Sequence, residues 1–292
     1  MYMTGFADEA AASIEGQIRA TKTLGWTNIE SRNIDKVNIH DLPEKDFDAV
    51  VGKLADAGVT INCFGSTIGN WAKSVADPFD ITAEEIKRAI PRMKRLGAKL
   101  IRVMSYKVIP DTDDQMEEER FRRVREIVKM FSGEGLTPVH ENCMNYGGMS
   151  WKHTLRLVEN VPSLKLVYDT GNPIFSDDRS KPAPHPKQSS WEFFSHVRDH
   201  VAYIHIKDGK FDAATNKAIY SYPGEGVGDV KQIIADLVKR GYDGGISIEP
   251  HMASVFHDPN DPGKSAEAAE TIYVEYGRRM MKMIGECGGT CK

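Results

Sequence analysis

Four apolar runs in the second half of the chain each end on a side chain that can bind a metal ion. The runs read Thr-Pro-Val-His-Glu, Leu-Lys-Leu-Val-Tyr-Asp, Val-Ala-Tyr-Ile-His and Gly-Ile-Ser-Ile-Glu, and they end at Glu141, Asp169, His205 and Glu249. Each run is short and rich in β-branched or aromatic residues, which is typical of a buried strand. Three carboxylates and one imidazole suit a single divalent cation such as Mn, Mg, Co or Zn.

Each of these residues also has an ordinary structural explanation. Asp169 precedes Thr-Gly-Asn and could belong to a turn, and Glu249 precedes a proline and could cap a helix. A histidine flanked by isoleucines, as at position 205, is often a core residue with satisfied ring nitrogens. The joint placement of all four at the ends of successive runs favours a metal site.

The elements that must position these residues alternate regularly along the chain. Strands are predicted over 1–6, 28–31, 60–64, 100–106, 137–141, 164–169, 201–206 and 245–249. Helices are predicted over 13–24, 43–57, 82–96, 115–131, 151–159, 190–199, 229–240 and 266–286, the third beginning with a capping box at Thr82 and Glu85. Strict alternation predicts a parallel sheet with right-handed crossovers.

Eight strand–helix units favour a closed (β/α)8 TIM barrel over an open, doubly wound sheet. No Gly-x-Gly-x-x-Gly or Walker sequence follows any predicted strand, which disfavours a nucleotide-binding sheet. We therefore predict an α/β protein with one catalytic barrel domain over residues 1–286 and a Gly/Cys tail over 287–292.

A barrel would bring the four ligands together, because functional side chains gather at the carboxyl ends of its strands. The four come from successive strands, which curve round one part of the barrel mouth. Alternate residues of a strand share a face, so Lys207 should point the same way as His205, and His251 can follow Glu249. The same parity turns His140 away from Glu141, which indicates a structural role for that histidine.

The composition excludes several classes of protein. The formal net charge of the 292 residues is −4 and the charges are interspersed, so no nucleic-acid partner is expected. No apolar run is long enough to cross a membrane, and the N-terminus does not resemble a signal peptide, so we expect a cytoplasmic protein. The four cysteines are expected to be reduced, although Cys287 and Cys291 could form a tail disulfide or metal clip.

Two further motifs extend the pattern to a known family. His205-Ile-Lys-Asp208 resembles the His-x-Lys-Asp sequence of inosose dehydratase and its relatives, and Pro223-Gly-Glu-Gly-Val-Gly-Asp229 resembles their Gly-Glu-Gly-x-x-Asp loop. Together with the four strand ends, these two motifs make the whole chain similar to the family of xylose-isomerase-like barrels, which includes sugar phosphate isomerases and epimerases. The resemblance implies one divalent ion, most often Mn, bound by Glu141, Asp169, His205 and Glu249.

The same resemblance implies that Glu141 and Glu249 also move protons. The chain departs in two features from the ketose 3-epimerases of this family. Asn172 stands where those enzymes usually carry a histidine, and Lys207 and Lys210 stand in a loop where they place an arginine.

The chemistry that these residues allow is removal of a proton from a carbon beside a carbonyl, with isomerisation or epimerisation through an enediolate. The metal would act as a Lewis acid, a carboxylate as the base, and Lys207 would stabilise charge on the substrate oxygen. With an acid such as His251 or, less directly, Glu225, the same site would eliminate a β-substituent. That alternative is a keto-sugar lyase or dehydratase, either inosose-dehydratase-like or cleaving 3-keto-glycosides.

A sugar substrate, slightly favoured to be non-phosphorylated, would meet residues at strand ends and on the following loops. The predicted substrate-binding residues are Glu30, Asn62, Trp71, Asn172 and Glu225. Besides the small-molecule sugar, a second copy of the chain is the one partner considered. Two remoter hypotheses are an endonuclease IV-like phosphodiesterase, whose group uses three zinc ions and more histidines, and a barrel that serves as a sugar-binding or partner subunit.

Overall fold

Eight parallel strands form the centre of the protein, as seen in a computed structural model that describes residues 1–253 and 263–291. They are β1 (Tyr2–Gly5), β2 (Asn28–Ser31), β5 (Thr60–Phe64), β6 (Leu100–Val103), β7 (Thr137–Glu141), β8 (Lys165–Asp169), β9 (Val201–Ile206) and β12 (Gly245–Ile248). Two short hairpins supply the remaining strands: β3 (Asn33–Ile34) with β4 (Val37–Asn38), and β10 (Asp208–Asp212) with β11 (Lys217–Ser221).

The order of hydrogen-bonded neighbours in the main sheet is β1-β12-β9-β8-β7-β6-β5-β2. The sheet nearly closes, because a parallel bridge between Phe6 and Glu30 joins its two end strands. In the pairing of β12 with β9, Ser247 lies opposite His205, and in the pairing of β8 with β9, Asp169 lies opposite His205. The predicted (β/α)8 barrel is confirmed.

Helices connect successive strands on the outside of the barrel. They are α1 (Ile14–Thr23), α2 (Glu44–Ala57), α3 (Phe79–Leu96), α4 (Glu117–Ser132), α5 (Trp151–Asn160), α6 (Asn172–Phe175), α7 (Ser190–Val197), α8 (Val230–Lys239) and α9 (Ala266–Glu286). Local signals fix several ends: Ser13 caps the start of α1, and Gly58 and Gly97 end α2 and α3 in the left-handed conformation.

The predicted capping box at Thr82 is wrong. Helix α3 begins one turn earlier, at Phe79 after Pro78, so Thr82 lies within it. The hydroxyl of Thr82 is buried and lies 3.1 Å from that of Tyr106, while Glu85 forms an ion pair with Lys73. Tertiary partners therefore take the side chains that a capping box would use.

The main core lies between the sheet and its helices, where apolar side chains from both pack together. A smaller cluster fills the barrel interior and consists of Cys63, Val139, Val167 and Tyr203. Burial on both faces explains why the strand sequences are nearly continuous apolar runs.

Near the C-terminus, Cys287 and Cys291 are free thiols. No helix within residues 1–253 and 263–291 has both the length and the apolar character needed to cross a membrane.

Candidate metal centre and active-site cavity

The carboxyl ends of four neighbouring strands bring Glu141, Asp169, His205 and Glu249 together. Glu141 and Asp169 are the last residues of β7 and β8, His205 is the penultimate residue of β9, and Glu249 follows β12. One ligand atom from each lies within 4.8 Å of those of the other three, and all four residues are buried. The convergence predicted from the sequence is present in the structure.

Two of these carboxylate oxygens lack an ordinary hydrogen-bond partner. Asp169 Oδ2 and Glu249 Oε2 are buried and accept no hydrogen bond from the described residues. The ammonium Nζ of Lys207 lies 3.1 Å from the first and 2.9 Å from the second, which places a positive charge beside both. Buried oxygens oriented toward one point and left without hydrogen bonds are the donors that a divalent cation requires. The donor set therefore fits such an ion.

The imidazole of His205 is held from its far side by Glu30. Nε2 of His205 lies 3.0 Å from Glu30 Oε2, whereas Nδ1 faces Glu141 at 3.3 Å and Glu249 at 3.9 Å. Metal-binding histidines commonly donate their second ring N–H to a carboxylate, which fixes the ring and raises its basicity. Burial opposes the charged ring, but Glu30 and Glu141 raise the pKa of His205 to about 10.

Three cations balance part of the negative charge at the mouth. Arg102 Nη1 lies 3.1 Å from Glu141, and Arg32 lies 3.0 Å from Glu249 and 2.9 Å from Asp8. Both guanidinium groups lie over the ring of Phe6, at 4.5 Å for Arg32 and 5.0 Å for Arg102. The residues that carry negative charge here are Asp8, Glu9, Glu30, Glu141, Asp169 and Glu249, and the cations are Arg32, Arg102 and Lys207.

Within the described part of the chain, carboxylates at the mouth thus outnumber permanent cations by two to one. The pKa value of each carboxylate depends on which cation lies beside it. Burial opposes ionisation of Glu141, but Arg102 and His205 lower its pKa to about 2. Asp169 has no such arginine, so burial, with added repulsion from Glu249 and Glu141, raises its pKa to about 6 despite Lys207. A divalent cation would neutralise the remaining charge.

A cavity of about 250 Å³ opens beside the four ligands and offers room for a small polar molecule. Its wall includes two of the ligands, Glu141 and Glu249, together with the three cations and a set of amides. The side chains that sequence reasoning proposed and that do line it are Trp71, Asn172, Lys207 and His251. The side chain of Asn172 bridges Glu141 and Lys207: its amide nitrogen donates to Glu141 (3.3 Å) and its oxygen accepts from Lys207 (3.2 Å).

Three predicted substrate-binding residues lie elsewhere. Glu30 has no exposed surface and holds His205 from outside the cavity. Asn62 points into the barrel interior, where it accepts from Thr4 (2.8 Å) and donates to the Tyr203 hydroxyl (2.9 Å). Glu225 is on the outer surface in an ion pair with Arg279 of α9. The position of a residue in the sequence does not determine where its side chain points, and the prediction that these three side chains line the substrate cavity is therefore wrong.

Other cavity residues were missed by sequence reasoning. Arg32 directly follows β2, and Arg102 interrupts the apolar strand β6. A charged residue inside an apolar strand was the available signal for Arg102, because a buried arginine needs a carboxylate partner. Tyr220, on β11, lines the cavity and packs edge-on against His251 with ring centroids 5.2 Å apart. That hairpin was not predicted.

The two family motifs meet at Asp208, whose carboxylate accepts hydrogen bonds from four backbone amides. Oδ1 accepts from Gly209 (2.8 Å) and Gly228 (2.9 Å), and Oδ2 accepts from Gly224 (2.8 Å) and Gly226 (3.1 Å). A Cβ at Gly226 would lie 2.2 Å from Oδ1, so a side chain there would collide with the carboxylate. The Asp208 carboxylate thus ties the Gly-rich loop to the start of the β10–β11 hairpin.

Comparison with known proteins places the chain in a family. Residues 18–273 match the xylose isomerase-like TIM barrel family, and the protein belongs to it. The chain is 22% identical over 212 residues to inosose dehydratase from Geobacillus thermodenitrificans, an alignment that covers 62% of this chain and 67% of that protein.

Solved structures share the fold over almost the whole chain. The probable 3-DHS dehydratase of petrobactin synthesis from Bacillus anthracis superposes with a TM-score of 0.68 and 16% identity, covering 96% of this chain and 98% of the other. D-allulose 3-epimerase from Methylomonas sp., in complex with D-allulose, gives a TM-score of 0.65 and 16% identity, covering 96% of each chain. The predicted family resemblance is confirmed, and the fold is shared by epimerases and dehydratases alike.

Proposed function

We propose that this protein is a divalent-metal-dependent enzyme that removes a proton from the carbon beside a carbonyl of a sugar or keto-sugar. The observation that carries the proposal is the convergence of four buried ligand atoms within 4.8 Å at the wall of a small polar cavity. Isomerisation or epimerisation through an enediolate is the reaction favoured first. The similar proteins are named as an inosose dehydratase, a probable 3-DHS dehydratase and a D-allulose 3-epimerase, which supports this substrate class.

Glu141, Asp169, His205 and Glu249 would hold the ion. When bound, a divalent cation supplies a Lewis acid that polarises a substrate carbonyl. Manganese is the choice that the family resemblance favours, and Mg, Co and Zn suit the same donors.

The protein's own residues account for the proton movements. Glu141 and Glu249 line the cavity, and the cations beside them hold their pKa values below the usual range, so both are ionised at neutral pH and can accept a proton. Lys207 Nζ, buried beside Asp169 and Glu249, would donate a hydrogen bond to the substrate oxygen on which negative charge develops. Asn172 would fix Lys207 and Glu141 relative to each other.

Elimination is the second candidate, and His251 is the observation that favours it. Its Nδ1 lies 2.8 Å from Glu9 Oε1, its backbone N–H donates to the same carboxylate at 2.7 Å, and its ring lines the cavity. A histidine held in this way can deliver a proton to a departing hydroxyl or alkoxide. In that reaction the substrate loses its α-proton to a carboxylate and its β-substituent leaves with the proton from His251.

Metal content per chain tests the proposal first. Elemental analysis of the purified protein, before and after reloading, should find about one divalent ion per chain, as expected for one four-ligand site. Glu141→Ala should lose this ion, and Glu126→Ala, at a half-buried position of α4 where the side chain pairs with Lys129, should retain it. About three zinc ions would instead support a phosphodiesterase, and no uptake by the reloaded protein would refute the enzyme proposal.

Isotope incorporation tests the reaction. Turnover of keto-sugars and aldoses in heavy water should place deuterium on the carbon beside the carbonyl, whereas a hydride shift would leave it unlabelled. Release of water or an alcohol would identify elimination. Glu141→Gln should lower turnover at least about 100-fold, because it removes a proton acceptor, and unchanged activity would contradict the assignment.

A further inference from the structure

The active-site cavity does not end at the metal centre. A second space of about 410 Å³, here called the outer compartment, adjoins it. The two share five wall residues: Trp71, Cys143, Met144, Phe175 and Ser176. A molecule bound beside the metal ligands can therefore extend past these residues without leaving the protein surface.

The outer compartment differs in chemistry from the cavity beside the metal. Both spaces share Trp71, Met144 and Phe175, but the remaining wall of the first cavity is mostly amides and ions, whereas the outer compartment adds the apolar side chains of Val108 and Met149. Met144 is 44% exposed at the junction, where its side chain can contact a bound molecule. Methionine adapts its shape to flat rings and contacts them favourably through its sulfur.

The junction is also held in place. The ring of Phe175 packs edge-on against Tyr220, with centroids 5.1 Å apart, and Tyr220 lines the cavity on the metal side. Phe175 ends the short helix α6, which starts at Asn172, the residue that contacts Lys207 and Glu141. One short segment thus contributes to both compartments.

The charges of the outer compartment do not form an anion site. Lys187 lies 2.9 Å from Asp177, donates to the Phe175 carbonyl at 3.0 Å, and sits 4.1 Å above the ring of Phe211. Lys107 and Arg179 lie on the remaining wall, and Arg179 is directed toward a backbone carbonyl, that of Ile109. Two such cations can meet a polar substituent, but a phosphate usually requires more donors.

We propose that the substrate is a keto-glycoside, a glycoside with a carbonyl on its sugar ring, whose sugar occupies the cavity beside the metal ligands and whose flat, apolar aglycone, such as an aryl group, occupies the outer compartment. This inference rests on the proposed function for the sugar half. It assigns Trp71 to the junction between the two rings, where its indole faces both spaces. Aromatic side chains at such a position supply contact area at little cost in conformational entropy.

The test compares binding of matched ligands to the manganese-loaded protein by calorimetry. Methyl and phenyl β-glycosides of glucose, galactose and xylose, and of their 3-keto forms, are measured as pairs, together with glucose 6-phosphate. The phenyl member of at least one pair should bind about tenfold more tightly than its methyl partner, because the ring fills an apolar space. Equal affinities, or no binding of any phenyl glycoside, would overturn the proposal, as would a preference for the phosphate.

A filling mutation locates the effect. Val108→Trp should reduce the phenyl-to-methyl affinity ratio to about one, because the indole would occupy the outer compartment. Val227→Trp is the matched control, since Val227 is 59% exposed and lines neither compartment, and it should keep the ratio. A ratio that survives Val108→Trp would place the aglycone elsewhere and refute the assignment.

The two proposals fail in different ways. A protein that takes up no divalent ion loses the proposed function whichever glycoside it binds. A protein that holds about one ion but does not distinguish phenyl from methyl glycosides retains the proposed function and loses only the outer compartment.

Discussion

Replacing Asp208 by asparagine should loosen one wall of the active site without removing the metal ion. The carboxylate of Asp208 accepts two backbone N–H groups on each oxygen, from Gly209 and Gly228 on one and from Gly224 and Gly226 on the other. Asparagine keeps one oxygen and replaces the other with an amide nitrogen, which cannot accept. Two backbone donors therefore lose their partner and face another donor.

The cost follows from the number and exposure of the bonds that are lost. A hydrogen bond to a charged group contributes about 1.5–3 kcal/mol, so two of them give about 3–6 kcal/mol in a dry interior. The amides of Gly224 and Gly226 are only partly buried, and water can replace part of the loss. The free energy of unfolding should fall by about 2–4 kcal/mol.

Function should change in a way that separates Asp208 from the metal ligands. The carboxylate lies next to Lys207 and opens the β10–β11 hairpin, whose Tyr220 pairs with Gly209 and lines the cavity. The four ligands come from the ends of β7, β8, β9 and β12, which the change does not touch. We expect kcat to fall about tenfold or more, since a misplaced wall costs positioning, while the metal content stays at its wild-type value.

The assay combines urea unfolding, elemental analysis and steady-state kinetics on Asp208→Asn and a control, Asp212→Asn. Asp212 lies on the same hairpin, where it accepts hydrogen bonds only from its own turn, at Ala214 and Thr215, so its replacement should leave the unfolding midpoint unchanged. A stability of Asp208→Asn within about 0.5 kcal/mol of wild type would refute the reasoning, as would loss of the metal ion with unaltered stability.

Three further predictions concern the four metal ligands and the residues that contact them. Glu30→Gln should weaken metal binding about 10–100-fold, because Glu30 holds the second ring nitrogen of His205; a competition titration with an unchanged affinity would exclude that role. Metal uptake at pH 7 should release about one proton, since the pKa of His205 is raised to about 10 before binding, so affinity should fall about tenfold per unit as the pH drops from 7 to 6. Below pH 6 the carboxyl of Asp169, whose pKa is raised to about 6, must also lose a proton, and affinity should fall about 100-fold per unit. Calorimetry in buffers of different ionisation enthalpy measures both, and affinity independent of pH would contradict them. Lys207→Met should lower kcat far more than metal affinity, because it removes a donor to the substrate and leaves the four ligands; equal losses would indicate a structural lysine.

Sequence patterns predicted most of the barrel because its strands and helices are regular and well bounded. Strands β2, β5, β7 and β9 have the predicted limits, since a buried parallel strand leaves a short apolar run ended by a polar residue. The β10–β11 hairpin and helix α6 were missed, because they lie in polar segments whose structure depends on distant contacts. Asp208 is the example: its four partners are spread over 20 residues, at positions 209, 224, 226 and 228.

The candidate site was predictable only as far as strand ends could be aligned. Glu141, Asp169, His205 and Glu249 meet because successive strands are neighbours, and that follows from order along the chain. Contacts between strands that become neighbours only when the barrel closes cannot be predicted from the order along the chain. Glu30 reaches His205 from β2, which lies far from β9 in the order of the chain. For that reason the sequence analysis assigned Glu30 to substrate binding and missed its contact with the histidine.

The arrangement of cations suggests how one site can both hold a metal ion and move protons. Each carboxylate proposed to move protons has its own guanidinium, Arg102 on Glu141 and Arg32 on Glu249, whereas Asp169 pairs, among the described residues, with the ammonium of Lys207 alone. An arginine stays charged at any pH near neutrality, so Glu141 and Glu249 are ionised in the resting site and can accept a proton. Lys207 differs, because a divalent cation placed among the four ligands would compete for the oxygens of Asp169 and Glu249 that it now faces. Binding of the metal would therefore release the ammonium toward the cavity, where the substrate oxygen lies in the proposed reaction.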